Sequence, residues 1–157
     1  MSNLPKIFIG SSTESLDLAG GLRIGLSHAY DPVLWTESMF KPSSFTVVDL
    51  INSVKEFDAA VFVFSPDDIT ALRDGNKFTV RDNVIFECGL FMGVLGLGRT
   101  FFVIPRGEKE LHLPSDLKGV NPLEYTPRIG AAPQQVMGNA VIELVQLKQH
   151  ILSISKP

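Results

Sequence analysis

Five short apolar runs, at residues 6–9, 32–35, 59–64, 100–104 and 123–125, punctuate the chain, and helical spacing fills most of the intervals between them. The runs mostly lack the apolar–polar alternation of a half-exposed strand, so they read as strands buried on both faces. Strands alternating with helices predict an α/β fold, a parallel sheet with helices packed on both sides. Residues 59–64, "AAVFVF", form the most hydrophobic run and read as a central strand.

The helical stretches carry their own punctuation. Residues 17–30 place Leu18, Leu22 and Leu26 one turn apart, after several candidate caps in residues 12–17. Residues 45–57 set Val47, Leu50, Ile51, Val54 and Phe57 on one side. A long polar connection covers residues 65–79, and Thr79 with Asp82 has the spacing of a capping box for the next helix. That helix carries Glu87 and ends near Gly96 or Gly98; residues 133–154 form a closing amphipathic helix. With a short first strand near the centre, the expected order is the flavodoxin-like 2-1-3-4-5. Residues 1–157 suit one domain, with 153–157 a frayed tail, and the abrupt ending after a helix is compatible with one module of a longer protein.

Composition removes several classes of function. The net charge is −3 and no run of Lys or Arg makes a stripe, so no nucleic-acid footprint is expected. A single cysteine, Cys88, allows neither an internal disulfide nor a cysteine-based zinc site. The longest apolar stretch, residues 84–97, is too short to span a membrane and contains Glu87. No signal peptide is visible, and the expected location is the cytoplasm.

Ligands of such sheets bind beyond the carboxyl ends of the strands. Those ends carry Gly10, Ser11 and Ser12, then Trp35 and a loop with Phe40, then Asp67 and Asp68. The Gly10–Ser11–Ser12 turn before a helix suits phosphate contacts or is a plain capped turn. Asp67 and Asp68 could touch ribose hydroxyls, a metal or an arginine, and no third ligand at useful spacing favours the metal. Trp35 reads as core or as a stacking surface, and Phe40 as an exposed contact residue. His28, His112 and His150 are scattered, so no catalytic triad is supported.

Glu87 stands out because Val84, Ile85, Phe86, Cys88, Leu90, Phe91 and Met92 surround it in sequence. A buried carboxylate is costly unless it is paired. Pairing with Arg81 or Arg99 is the bland account, yet Arg81 lies six residues back and off the Glu87 stripe. Asn83, at i−4, shares that stripe and makes a polar notch with Glu87. Gly89 and Gly93 suggest that another backbone packs close to this helix. Together these features favour an active-site carboxylate.

"KIFIGSSTE", "FDAAVFVFSPDD", "RDNVIFECGLFMGVLG" and "LPSDLKGV" resemble the bacterial TIR-like domains, including the TIR portion of TIR–STING effectors in CBASS systems. The likeness runs from about residue 6 to residue 125. It implies a flavodoxin-like TIR fold and hydrolysis of NAD+ at the nicotinamide–ribose bond, with Glu87 as catalytic carboxylate and no cofactor beyond NAD+ as substrate. Gly10, Ser11, Ser12, Trp35, Phe40, Asp67 and Asn83 become candidate substrate contacts. Asn83 stands where classical TIR enzymes carry a Trp, four residues before the glutamate. The loop at residues 36–45 matches the family's BB loop, which helps build assembled sites. The resemblance further implies self-association in antiphage defence and a fused or associated STING-like cyclic-nucleotide sensor. A non-catalytic TIR scaffold and a nucleoside deoxyribosyltransferase-like enzyme are the competing expectations.

Overall fold

Successive side chains of the first strand are buried in opposite directions, so both faces of the sheet need covering. The computed structural model describes residues 3–37, 46–107 and 111–155. In chain order the elements are β1 (Lys6–Gly10), α1 (Leu16–Leu26), β2 (Asp31–Leu34), α2 (Val47–Val54) and β3 (Ala59–Val63). Next come β4 (Asp68–Leu72), β5 (Gly75–Thr79), α3 (Asp82–Leu95), β6 (Thr100–Pro105) and β7 (Leu111–His112). A 3₁₀ turn (Ser115–Gly119), β8 (Leu123–Tyr125), α4 (Pro133–Val136) and α5 (Gly138–Ser153) complete the described chain. The main sheet runs β2-β1-β3-β6-β8 and is parallel throughout. Numbered among these five strands alone, the order is the expected 2-1-3-4-5.

Strand periodicity sorts the core into two layers. Ile7, Ile9, Val61, Val63 and Val103 meet Ala19, Leu22 and Leu26 of α1 and Ala140, Leu144 and Ile151 of α5. Phe8, Ala60, Phe62, Phe64 and Phe102 meet Val54 of α2 and Val84, Cys88, Phe91 and Leu95 of α3. The second layer is aromatic: Phe8 stacks on Phe91 with ring centroids 4.6 Å apart, and Phe62 meets Phe91 edge-on at 5.3 Å. Each such fully buried ring stabilises the fold by roughly 1.5–3 kcal/mol. The rings position α3, and α3 carries Glu87.

Four local expectations change. The polar connection at 65–79 is a β-hairpin, β4 antiparallel to β5, joined by Arg73 and Asp74 and extended by β7. Asp74-Gly75 supplies the tight turn, with Gly75 at φ +117°, where an L side chain would be strained. Thr79 therefore belongs to β5 and hydrogen-bonds Thr70 across the hairpin at 2.9 Å, so it does not cap α3, which starts after Arg81. The closing helix breaks at the fully buried Met137, just before Gly138, a weak helix former. Finally, an added Cβ on Gly89 or Gly93 would meet nothing within 4 Å among the described residues, so no backbone packs close there. The close approach is made instead by Gly21 of α1, whose Cβ position lies 2.6 Å from the Pro133 backbone.

Candidate active site

The β1–α1 turn, the end of β2 and the first two turns of α3 converge beyond the carboxyl edge of the sheet. They enclose a pocket of about 190 Å³ lined by Phe8, Ser11, Ser12, Thr13, Trp35, Arg81, Asn83, Val84 and Glu87. Two larger concavities lie elsewhere, about 630 Å³ beside the small sheet and about 740 Å³ near Lys6 and Asp31. Position and chemistry single out the smaller one. It lies at the strand ends where α/β sheets bind ligands, and it holds a desolvated acid.

Glu87 is half-buried, and burial pushes its carboxyl above the usual carboxylate range. Among the described residues it has no hydrogen bond and no ion pair. Its candidate partners are engaged elsewhere. Arg81 donates from Nη2 to Glu14 Oε1 at 2.6 Å and sets Nε 3.0 Å from Asp68 Oδ2. Arg99 is buried and donates to the carbonyls of Asp58, at 2.8 Å, and Ile154. Glu87 is therefore not part of an ion pair among the described residues. Asn83 lies one turn before Glu87 on the same helix and lines the same pocket, as the spacing predicts.

The serines divide their work. Ser11 Oγ accepts from Trp35 Nε1 at 3.0 Å and donates to the Ser12 carbonyl at 2.9 Å, joining the ends of β1 and β2. Ser12 Oγ donates to Asp67 Oδ2 at 2.5 Å and accepts the Ser15 N–H at 3.2 Å. Asp67 Oδ2 also accepts from Ser65 at 2.6 Å and from Ser15 at 3.5 Å. Asp67 thus sits behind the turn and holds it, rather than lining the pocket. Gly10 does not line it either: a Cβ there would overlap the Phe62 ring, so this glycine makes room for an aromatic of the core. Trp35 does line the pocket while packing on the aromatic layer. Phe40 and most of the 36–45 loop lie outside the described residues.

Sequence offers Arg81 only as a pairing partner for Glu87, and Thr13 and Glu14 only among the candidate caps, not as lining or neighbours of the pocket. The missing signal was the Asp74-Gly75 turn, because only the hairpin brings Asp68 back against Arg81. Cys88 is buried and its thiol is pushed up to about 12, which suits packing and not nucleophilic attack. Among the described residues no group of three or more His, Cys, Asp or Glu side chains could hold a metal ion. No helix among them is long and apolar enough to cross a membrane.

A family model described as "CAP12/Pycsar effector protein, TIR domain" matches residues 6–127. The chain belongs to this TIR family. The TIR domain is 42% identical over 120 residues to "Pycsar effector protein PaPycTIR" of Pseudomonas aeruginosa, covering 76% of this chain and 39% of that protein. It is 35% identical over 147 residues to "CD-NTase-associated protein 12" of Lachnospiraceae bacterium (strain RUG226), covering 93% and 46% respectively. It is also 35% identical over 150 residues to "Pycsar effector protein BcPycTIR" of Burkholderia cepacia, covering 95% and 48%. The TIR domain therefore spans less than half the length of these relatives. Among solved structures, the Flv1 flavodiiron core from Synechocystis sp. PCC6803 superposes with a TM-score of 0.53 at 10% identity. That match covers 94% of this chain and 36% of the other, a likeness of fold alone.

Proposed function

We propose that this TIR domain is an NAD+ glycohydrolase that releases nicotinamide and ADP-ribose. The observation that carries the reading is Glu87, an acid desolvated in a pocket at the strand ends and without a partner among the described residues. Burial disfavours its negative charge. A cationic nicotinamide riboside group placed beside it restores that charge, since an opposite charge within a few ångströms favours ionisation.

Bond rupture then follows simple electrostatics. Nicotinamide departs with the bonding electron pair and becomes neutral, so no acid is needed to protonate it. The ribose carbon left behind shares its positive charge with the ring oxygen. A carboxylate preorganised in a pocket of low dielectric stabilises that charge as it develops. Water adds to the same carbon, loses a proton and gives ADP-ribose. The pocket is smaller than the ~300–1,000 Å³ of most small-molecule sites, so in this reading the nicotinamide riboside end enters and the rest of the dinucleotide lies along the rim. Asn83, Ser11, Ser12 and Trp35 surround it, with polar atoms for hydroxyls and an aromatic surface for a ring.

Activity in this reading rises when copies associate, as an antiphage effector under a cyclic-nucleotide sensor would require. Support comes from Val47 and Val48 of α2 and Phe86 of α3, which are 58%, 64% and 57% exposed on helices packed against each other. The test is a chromatographic product assay with NAD+ on dilute and artificially clustered protein. Clustering should raise nicotinamide release, and Glu87→Gln and Glu87→Ala should each lower it by at least about 10²-fold. Equal release from wild type and both variants would end the assignment. Faster turnover of a deoxynucleoside than of NAD+ would point to base exchange instead.

A further inference from the structure

Arg81 is the single cationic side chain among the described residues lining the Glu87 pocket. It has two carboxylate neighbours on different elements. Asp68 belongs to β4, whose backbone is fixed along its length by the hairpin ladder. Glu14 lies in the turn before α1, and its side chain is 51% exposed against 38% for Asp68. Glu14 and Arg81 thus form a mostly solvated pair, a class that contributes little to folding. The Arg81 Nε is buried and has no aligned hydrogen-bond acceptor, although Asp68 is close enough to attract it electrostatically. The guanidinium is therefore ion-paired on two sides while its Nε lacks a hydrogen-bond acceptor.

Its neighbours suit an anion. Ser12 and Thr13 line the same wall of the pocket and lead into α1, whose amino-terminal end favours negative charge. A guanidinium binds phosphate oxygens through paired, parallel hydrogen bonds, which a single Glu14 oxygen does not match. Resting on the NAD+ reading for the class of ligand, we infer that Arg81 is the diphosphate-recognising residue of this pocket and that Glu14 is a placeholder carboxylate displaced when a diphosphate binds. Asp68 stays behind as the anchor that keeps Arg81 aimed at the pocket. The pair then acts as a selectivity device: a ligand without phosphate leaves Glu14 seated, whereas a pyrophosphate ester exchanges with it.

Calorimetric titration of the full chain with ADP-ribose, and separately with inorganic pyrophosphate, tests the inference. Glu14→Gln should bind both about two- to fivefold more tightly than wild type, because the competing charge is gone. Arg81→Ala should bind both at least about tenfold more weakly, with Arg81→Lys between that variant and wild type. Thermal melts identify any variant that fails to fold. If Arg81→Ala is lost that way, Arg81→Lys and Glu14→Gln decide the matter. Glu14→Gln binding no more tightly than wild type would overturn the placeholder role. An Arg81→Lys chain that folds and binds pyrophosphate as wild type does would overturn the recognition role. The two readings also fail separately. Arg81-dependent ADP-ribose binding without nicotinamide release removes the reaction and keeps this subsite, and release that ignores Arg81 removes the subsite and keeps the reaction.

Discussion

Glu87 carries a stability cost with a definite sign. Burial raises its folded carboxyl above the ordinary glutamate range, so between the unfolded and folded values the folded chain holds a proton that the unfolded chain has already released. Stability must then fall as pH rises from about the unfolded value through the folded one, and level off above it. Glu87→Gln removes this dependence. The melting temperature of the variant, relative to wild type, is expected to climb across that window and then hold. Melts taken between pH 4 and pH 8 measure it, and a Gln variant less stable than wild type at pH 8 would contradict a desolvated, unpaired acid. Sequence made Glu87 and Asn83 legible because one stripe of a helix has a fixed spacing. It misplaced Asp67 and Gly10, since adjacency to a strand end does not say whether a side chain faces the crevice or the core.

Elements were readable wherever apolar periodicity dominated. The five main strands and their order followed from buried runs and connection rules, and α1, α2 and α3 followed from helical spacing. The small sheet reads in sequence as a polar connection, because Ile69 and Phe78 face each other across β4 and β5 while remaining 67% and 41% exposed. Its strands bury too little to leave a hydrophobic signature. The β1–α1 turn depends on the next element along, since Asp67 accepts hydroxyls from Ser12, Ser15 and Ser65. Asp67→Ala strands that cluster and should destabilise the fold by about 1–3 kcal/mol. In chemical denaturation the midpoint should drop while the slope holds. Asp67→Asn, which keeps an acceptor, should recover much of the loss, and equal losses from both variants would show that charge and not hydrogen bonding holds the turn.

At the scale of the whole molecule the sheet separates two kinds of interior. Aliphatic side chains and the α1, α4 and α5 helices occupy one side. Phenylalanines and the α2 and α3 helices occupy the other. The aromatic side meets the pocket at the buried Phe8, which lines its wall and stacks on Phe91 behind it. Leu144 has no such route to the pocket, because the sheet stands between them. Phe91→Leu and Leu144→Val each remove buried carbon and should each cost about 1 kcal/mol or somewhat more. Nicotinamide release per folded molecule should fall for Phe91→Leu and stay level for Leu144→Val, and similar turnover in both would show that the ring layer does not steer the acid.

The divided interior gives the molecule an asymmetric tolerance for change. The aliphatic half lies behind the sheet, so changes of shape there are expected to reduce only the margin of stability. The phenylalanine half abuts the helix that carries the acid, so a shim of one methylene there is expected to shift the wall of the pocket.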